Sequence, residues 1–216
     1  MATTPTRPIR QCRPTHRIMT IAVVVAGFAV PAALPAAALA AVQTDDWRPR
    51  IDAGLARVDS LIRADRLDAA RTALDEWSAT HTDVPGIDRA EAGLLRGRLA
   101  RSWTEAEQAF IATAIGYPVT PQAPEALLRL GQGLVAAAIP PAEPDAAARA
   151  VAYLERLVAD YPNSHVRTQA FLWLARALHA DGRAAAACRR LDQAPLAAGD
   201  SATVSLILYD KRARCG

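Results

Sequence analysis

His81, His165, His179, Cys188, Cys215 and a scatter of helical carboxylates are the side chains beyond residue 42 best suited to chemistry. The imidazoles would serve as general acids, bases or metal ligands, but none has a second metal-type ligand at helical spacing. There is no His-x-x-x-His pair, no glycine-rich phosphate loop and no serine set in a nucleophile-elbow context. The acids of "DAGLARVDS" and "LDEW" fall on amphipathic helices, where an isolated carboxylate ordinarily belongs to a solvated face. The expectation is a non-catalytic protein with no cofactor and no bound metal.

The two cysteines carry the remaining chemistry. If the chain is exported to an oxidising compartment, an even pair points to a disulfide. A Cys188–Cys215 bridge would close a loop of 28 residues, worth about 3–4 kcal/mol by the chain-entropy argument. Two full helices turning near residue 197 would leave the sulfurs more than about 10 Å out of step at 1.5 Å per residue. The bridge therefore requires the tail "DKRARCG" to fold back, and a buried thiol at Cys188 is the alternative.

Export is read from the first forty residues. Arg7, Arg10, Arg13 and Arg17 precede an uncharged run from Ile18 to Val42, and "ALA" at 38–40 has the small-x-small pattern of a signal peptidase site. The reading is a signal peptide over 1–40, cleaved after Ala40. The alternative is an anchor retained in the membrane, since the run is long enough to span a bilayer. Cys12 lies in the basic segment, so lipid attachment at the cleavage site is not supported. Residues 1–40 hold four arginines and no acid, which leaves 21 basic against 22 acidic residues beyond them. The whole chain's net charge of +3 thus becomes −1. A nearly neutral domain lacks the electrostatic footprint of a nucleic-acid partner.

The elements that would position any site are helical. Of 216 residues 51% are hydrophobic but only 5% aromatic, and alanine supplies much of the apolar total. From Tyr117 and Tyr161, 44 residues apart, an alanine follows at nine and leucines at eleven, thirteen and seventeen. These are Ala126, Leu128, Leu130 and Leu134 in one copy, and Ala170, Leu172, Leu174 and Leu178 in the other. Small residues at Ala175 and Ala187, with larger ones at Leu174, Leu178 and Leu191, describe two close-packed antiparallel helices. The upstream copy inserts "IPPAEPD", 139–145, before a second helix with Ala150, Leu154 and Leu157. Asp145 is placed to cap that helix, and Thr104 with Glu107 reads as a capping box for an earlier one.

This pattern, with its Tyr-Pro between units, resembles the tetratricopeptide repeat. Behind an export signal it is similar to envelope members of that family, in the style of the Tol–Pal-associated division coordinator and the β-barrel assembly lipoprotein. It has neither the lipidated cysteine of the latter nor the N-terminal heptads of the former. The resemblance implies an all-α, right-handed solenoid of about four helical hairpins over 47–200, after a linker at 41–46. A C-terminal cap follows at 201–216, read as a helix from Asp200 or Ser201 rather than as a short strand. One hairpin cannot bury its apolar face alone, so neighbours must stack. The family's concave surface further implies a partner-binding groove containing Glu125, Gln132, Gln169, Arg176 and His179. The function expected is an exported scaffold that binds a protein or peptide partner in the periplasm or cell envelope. It would touch membrane only through an uncleaved N-terminal segment. The rival reading is an enzyme, or a helical accessory domain of one, acting on envelope polymers such as peptidoglycan.

Overall fold

The computed structural model describes residues 52–138, 145–196 and 200–215. The segments read as a signal peptide and a linker, together with most of the "IPPAEPD" insert, lie outside the described residues. Those described form nine α-helices and no strand: α1 Ala53–Arg63, α2 Leu67–Thr80, α3 Gly86–Leu99, α4 Trp103–Gly116, α5 Gln122–Ala137, α6 Ala146–Asp160, α7 Arg167–Ala180, α8 Ala184–Gln193 and α9 Ser201–Arg214. No helix among the described residues is long and apolar enough to cross a membrane.

Each helix packs on the next, and the odd helices also touch one another in sequence: α1 on α3, α3 on α5, α5 on α7, α7 on α9. The architecture is therefore repeat-like, with an inner row of odd helices. All eight residues of the 44-residue register are buried, each leucine contributing about 1.5–3 kcal/mol of transfer free energy. The turns repeat as closely as the helices do. Tyr117 and Tyr161 end α4 and α6 with similar dihedrals, φ −133°, ψ 54° and φ −124°, ψ 60°, and each amide donates to the carbonyl four residues back. Thr120 N donates to Tyr117 O and Ser164 N to Tyr161 O, both at 3.1 Å. His81 ends α2 in the same way, with φ −116° and ψ 71°. The turns also touch, since the Tyr161 hydroxyl donates to Pro118 O at 2.8 Å.

Small residues let paired helices approach. A Cβ on Gly131 of α5 would collide with Leu154 of α6, and one on Gly97 of α3 with Phe110 of α4. The core falls into two clusters, one linking α1, α2 and α3 through Leu55, Val58, Leu74 and Leu95, the other running on toward α9.

Two expected caps differ from the structure. The cap of α4 is Ser102, not Thr104: Glu105 N donates to Ser102 Oγ at 3.3 Å, while the Glu105 carboxylate reaches back to accept from Arg101 N, the amide before the cap, at 3.1 Å. The cap lies two residues before Thr104 and the helix begins at Trp103, whose ring packs against Gly133 of α5. Glu107 instead forms an ion pair with Arg149 of α6. Asp145 does precede α6, but at φ 59° its side chain makes no cap bond. A capping side chain reaches the first-turn amides from the extended region, which a left-handed backbone leaves. The tail is helical, and Thr203 N donates to Asp200 Oδ1 at 3.1 Å as its cap.

Candidate functional site

The inner row carries a polar side chain at recurring positions. Gln169 and Arg176 of α7 lie 44 residues after Glu125 and Gln132 of α5, which lie 34 after Glu91 and Arg98 of α3. The same spacing of 34 separates Gly97 from Gly131.

On α7 these groups meet the chain's own last helix. Arg176 Nε donates to Asp210 Oδ2 at 2.8 Å, and the Asp210 side chain is only 4% exposed. The Arg176 guanidinium lies 5.0 Å from the centre of the Trp173 ring, a cation–π contact. Gln169 Nε2 donates to Asp200 Oδ2 at 3.5 Å, and Thr168 Oγ1 to Pro195 O at 3.2 Å. Bonds from the Thr203 side chain and amide, with Gln169 adding to them, hold the Asp200 carboxyl below its ordinary range. His179, exposed at the end of α7, borders the same crevice as Cys188 and Cys215.

Those two cysteines form a disulfide with Cα atoms 5.7 Å apart. Lys211 Nζ lies 2.7 Å from Asp192 Oδ1, so α9 returns antiparallel along α8 with 192 opposite 211 and 188 opposite 215. The mismatch in helix lengths is absorbed because α8 stops at Gln193 and Ala194 is already extended, at φ −62° and ψ 129°. Pro195 and Asp200, on either side of the undescribed residues 197–199, both lie beside the beginning of α7, at Thr168 and Gln169.

The stretch of the inner row over α3 and α5 is differently furnished. Glu125 and Gln132 flank Arg129, whose guanidinium reaches each of them at 3.5 Å. Glu91 is buried and accepts from Gln122 Nε2 at 3.0 Å, while Gln122 Oε1, equally buried, has no partner. Burial holds the Glu91 carboxyl above its ordinary range; the Gln122 bond opposes this, Glu125 and Asp59 add to it, and Arg98 opposes it. Arg98 Nη1 donates to Asp59 Oδ1 of α1 at 2.6 Å. At the α1 end, Asp52 Oδ1 accepts from both Gly54 N and Trp77 Nε1. Its carboxyl lies below its ordinary range although burial pushes it up, because the bonds from Gly54, Trp77 and Leu55 outweigh that push.

Of the five expected groove residues, Glu125 and Gln132 thus stand together on α5, whereas Gln169 and Arg176 hold α9. Glu91, Arg98, Asp59 and Gln122 were not foreseen. Stepping 34 residues back from Glu125 and Gln132 reaches the first two. Asp59 and Gln122 carry no such signal, since each matters only through a partner about 30 to 40 residues away. On the other side of the row, an open cleft of about 820 Å³ separates α2 from α4, bordered by Arg71, Asp75, Arg96, Arg101 and Glu105. Arg71 Nε is held by Leu99 O at 2.9 Å.

The arrangement favours recognition by hydrogen bonds and charge from rigid helices. Among the described residues no group of three His, Cys, Asp or Glu side chains is placed to hold a metal ion. No protein-family model, curated protein or solved structure matches the chain.

Proposed function

We infer that the chain is an exported, non-catalytic scaffold of the cell envelope, a right-handed solenoid of tetratricopeptide-like hairpins. Its inner face binds a segment of a protein or peptide partner. The observation that carries this reading is the recurrence of polar side chains along the inner row at the repeat spacing, from Glu91 and Arg98 to Glu125 and Gln132. Presented on packed helices, such groups lose little conformational freedom when they bind.

With α9 laid on α7, and with Glu91 buried and Arg98 paired to Asp59 on α3, the accessible part of the face is on α5, at Glu125, Arg129 and Gln132. Arg176, one of the residues expected to contact the partner, acts in this reading as an anchor for the C-terminal helix.

The test is capture from envelope extract by the immobilised full chain. Glu125→Lys with Gln132→Ala should abolish capture while leaving far-ultraviolet circular dichroism unchanged. Undiminished capture by that variant would remove the α5 face from the account.

A further inference from the structure

The last layer of a helical stack meets water on its outer side and needs a polar surface there. On helix α9 that side is partly apolar. Seven large apolar residues are exposed in the described structure, and four of them, Leu196, Leu206, Leu208 and Tyr209, lie between 196 and 209. The helix turns Thr203, Ile207 and Asp210 inward. A second stripe runs beside that one: Ala202, Leu206, Tyr209 and Ala213, all exposed, with Leu206 at 44% and Tyr209 at 67%.

The stripe is spaced four, three and four residues, the seam of a helix that packs on another helix. An alanine at each end permits close approach, and the two bulky residues fill the middle. Run antiparallel, the pattern is its own complement, with Ala202 against the partner's Ala213 and Leu206 against the partner's Tyr209. Charge selects the same arrangement. Asp200 stands at the start of the helix and Lys211, Arg212 and Arg214 at its end. A parallel mate would set bases against bases, whereas an antiparallel mate brings the basic end beside Asp200. The surface is also preset, since the disulfide, the Arg176–Asp210 pair and the Lys211–Asp192 pair hold α9 to the body.

We propose that the exposed stripe of α9 is a self-association surface on which α9 of a second copy of this chain packs antiparallel. The dimer is isologous, so one contact set serves both copies. Two inner faces are then carried by one particle, and a partner with repeated binding segments is held by avidity. A seam of 14 residues is about 21 Å long. Its buried area falls below about 1,200 Å², which places the dimer in the weak class.

Sedimentation equilibrium of the full chain, from about 1 μM to about 1 mM, should show a reversible monomer–dimer equilibrium. Leu206→Asp with Tyr209→Asp should raise the dissociation constant at least about tenfold. Both side chains are exposed, so the helical spectrum and the oxidised mass should not change. Ser205 flanks the stripe on the side of the partner's Arg212. Ser205→Glu should therefore tighten the dimer about twofold to fivefold and Ser205→Arg loosen it. A parent that is monomeric throughout overturns the proposal, as does an association the double variant leaves intact. Shifts of the same sign in the two Ser205 variants overturn the antiparallel register. A monomeric parent that loses a captured envelope protein on the same substitutions assigns the stripe to a foreign helix instead.

Discussion

Removing either partner of the Arg176–Asp210 pair should destabilise the protein by unequal amounts. The Asp210 side chain is 4% exposed and the Arg176 side chain 25%. Arg176→Ala leaves the buried carboxylate between α7 and α9 without its partner, a situation that costs about 3–5 kcal/mol. Asp210→Ala leaves a guanidinium that is already partly in solvent and stacked on Trp173. Its loss should be nearer the value of a charge-assisted hydrogen bond, about 1.5–3 kcal/mol. The double replacement Arg176→Met with Asp210→Leu removes both charges and should be close to neutral, because apolar packing substitutes well for a buried pair. Urea titration at neutral pH, followed by tryptophan fluorescence and circular dichroism, measures the three differences. Hydrogen exchange of the α9 amides tests whether the loss is localised there. If Asp210→Ala costs as much as Arg176→Ala, or the double variant is the worst of the three, the Asp210 carboxylate is not buried against Arg176 at the α7–α9 contact.

Other outcomes follow from single observations. Glu91 has a folded-state pKa raised above its unfolded value. Its contribution is therefore fully present below the unfolded pKa and is lost as pH rises through the folded one. Glu91→Gln should remove that decline and make the protein relatively more stable at neutral pH, as read from urea midpoints across pH. Asp200 has the opposite sign: its pKa is depressed, so its contribution is lost as pH falls, and α9 amides should lose exchange protection, relative to their intrinsic rates, in acid. Cys188→Ser with Cys215→Ser should cost about 3–4 kcal/mol in urea titrations, and the free ends of α8 and α9 should lose exchange protection. Gly131→Ala forces a methyl into Leu154 and should cost about 1–3 kcal/mol. Gly116→Ala, with open space around it, should instead stabilise by about 0.4–1 kcal/mol; calorimetry of the two variants separates the effects.

What the sequence by itself determined is local and periodic. The eight alanines and leucines counted from Tyr117 and Tyr161 are all buried, and both tyrosines end their helices in the same conformation. The helical tail was legible from Asp200 as a cap and from the lack of any strand for it to pair with. Such features depend on side-chain spacing along a helix of fixed pitch, so a linear string of residues contains them. Caps were less secure: α4 is capped by Ser102 rather than Thr104, and Trp103 at its start packs against Gly133. Only the tertiary structure decided which polar positions stay open. Glu125 and Gln169 are the same position in successive units, yet one stands half-buried beside the exposed Arg129 and the other bonds the cap of α9. That difference depends on where a helix more than thirty residues downstream comes to rest. The early end of α8, the extended Ala194 and the burial of Asp210 against Arg176 together set that position. None of them is a property of either segment alone, because each is a balance of contacts made between distant parts of the chain.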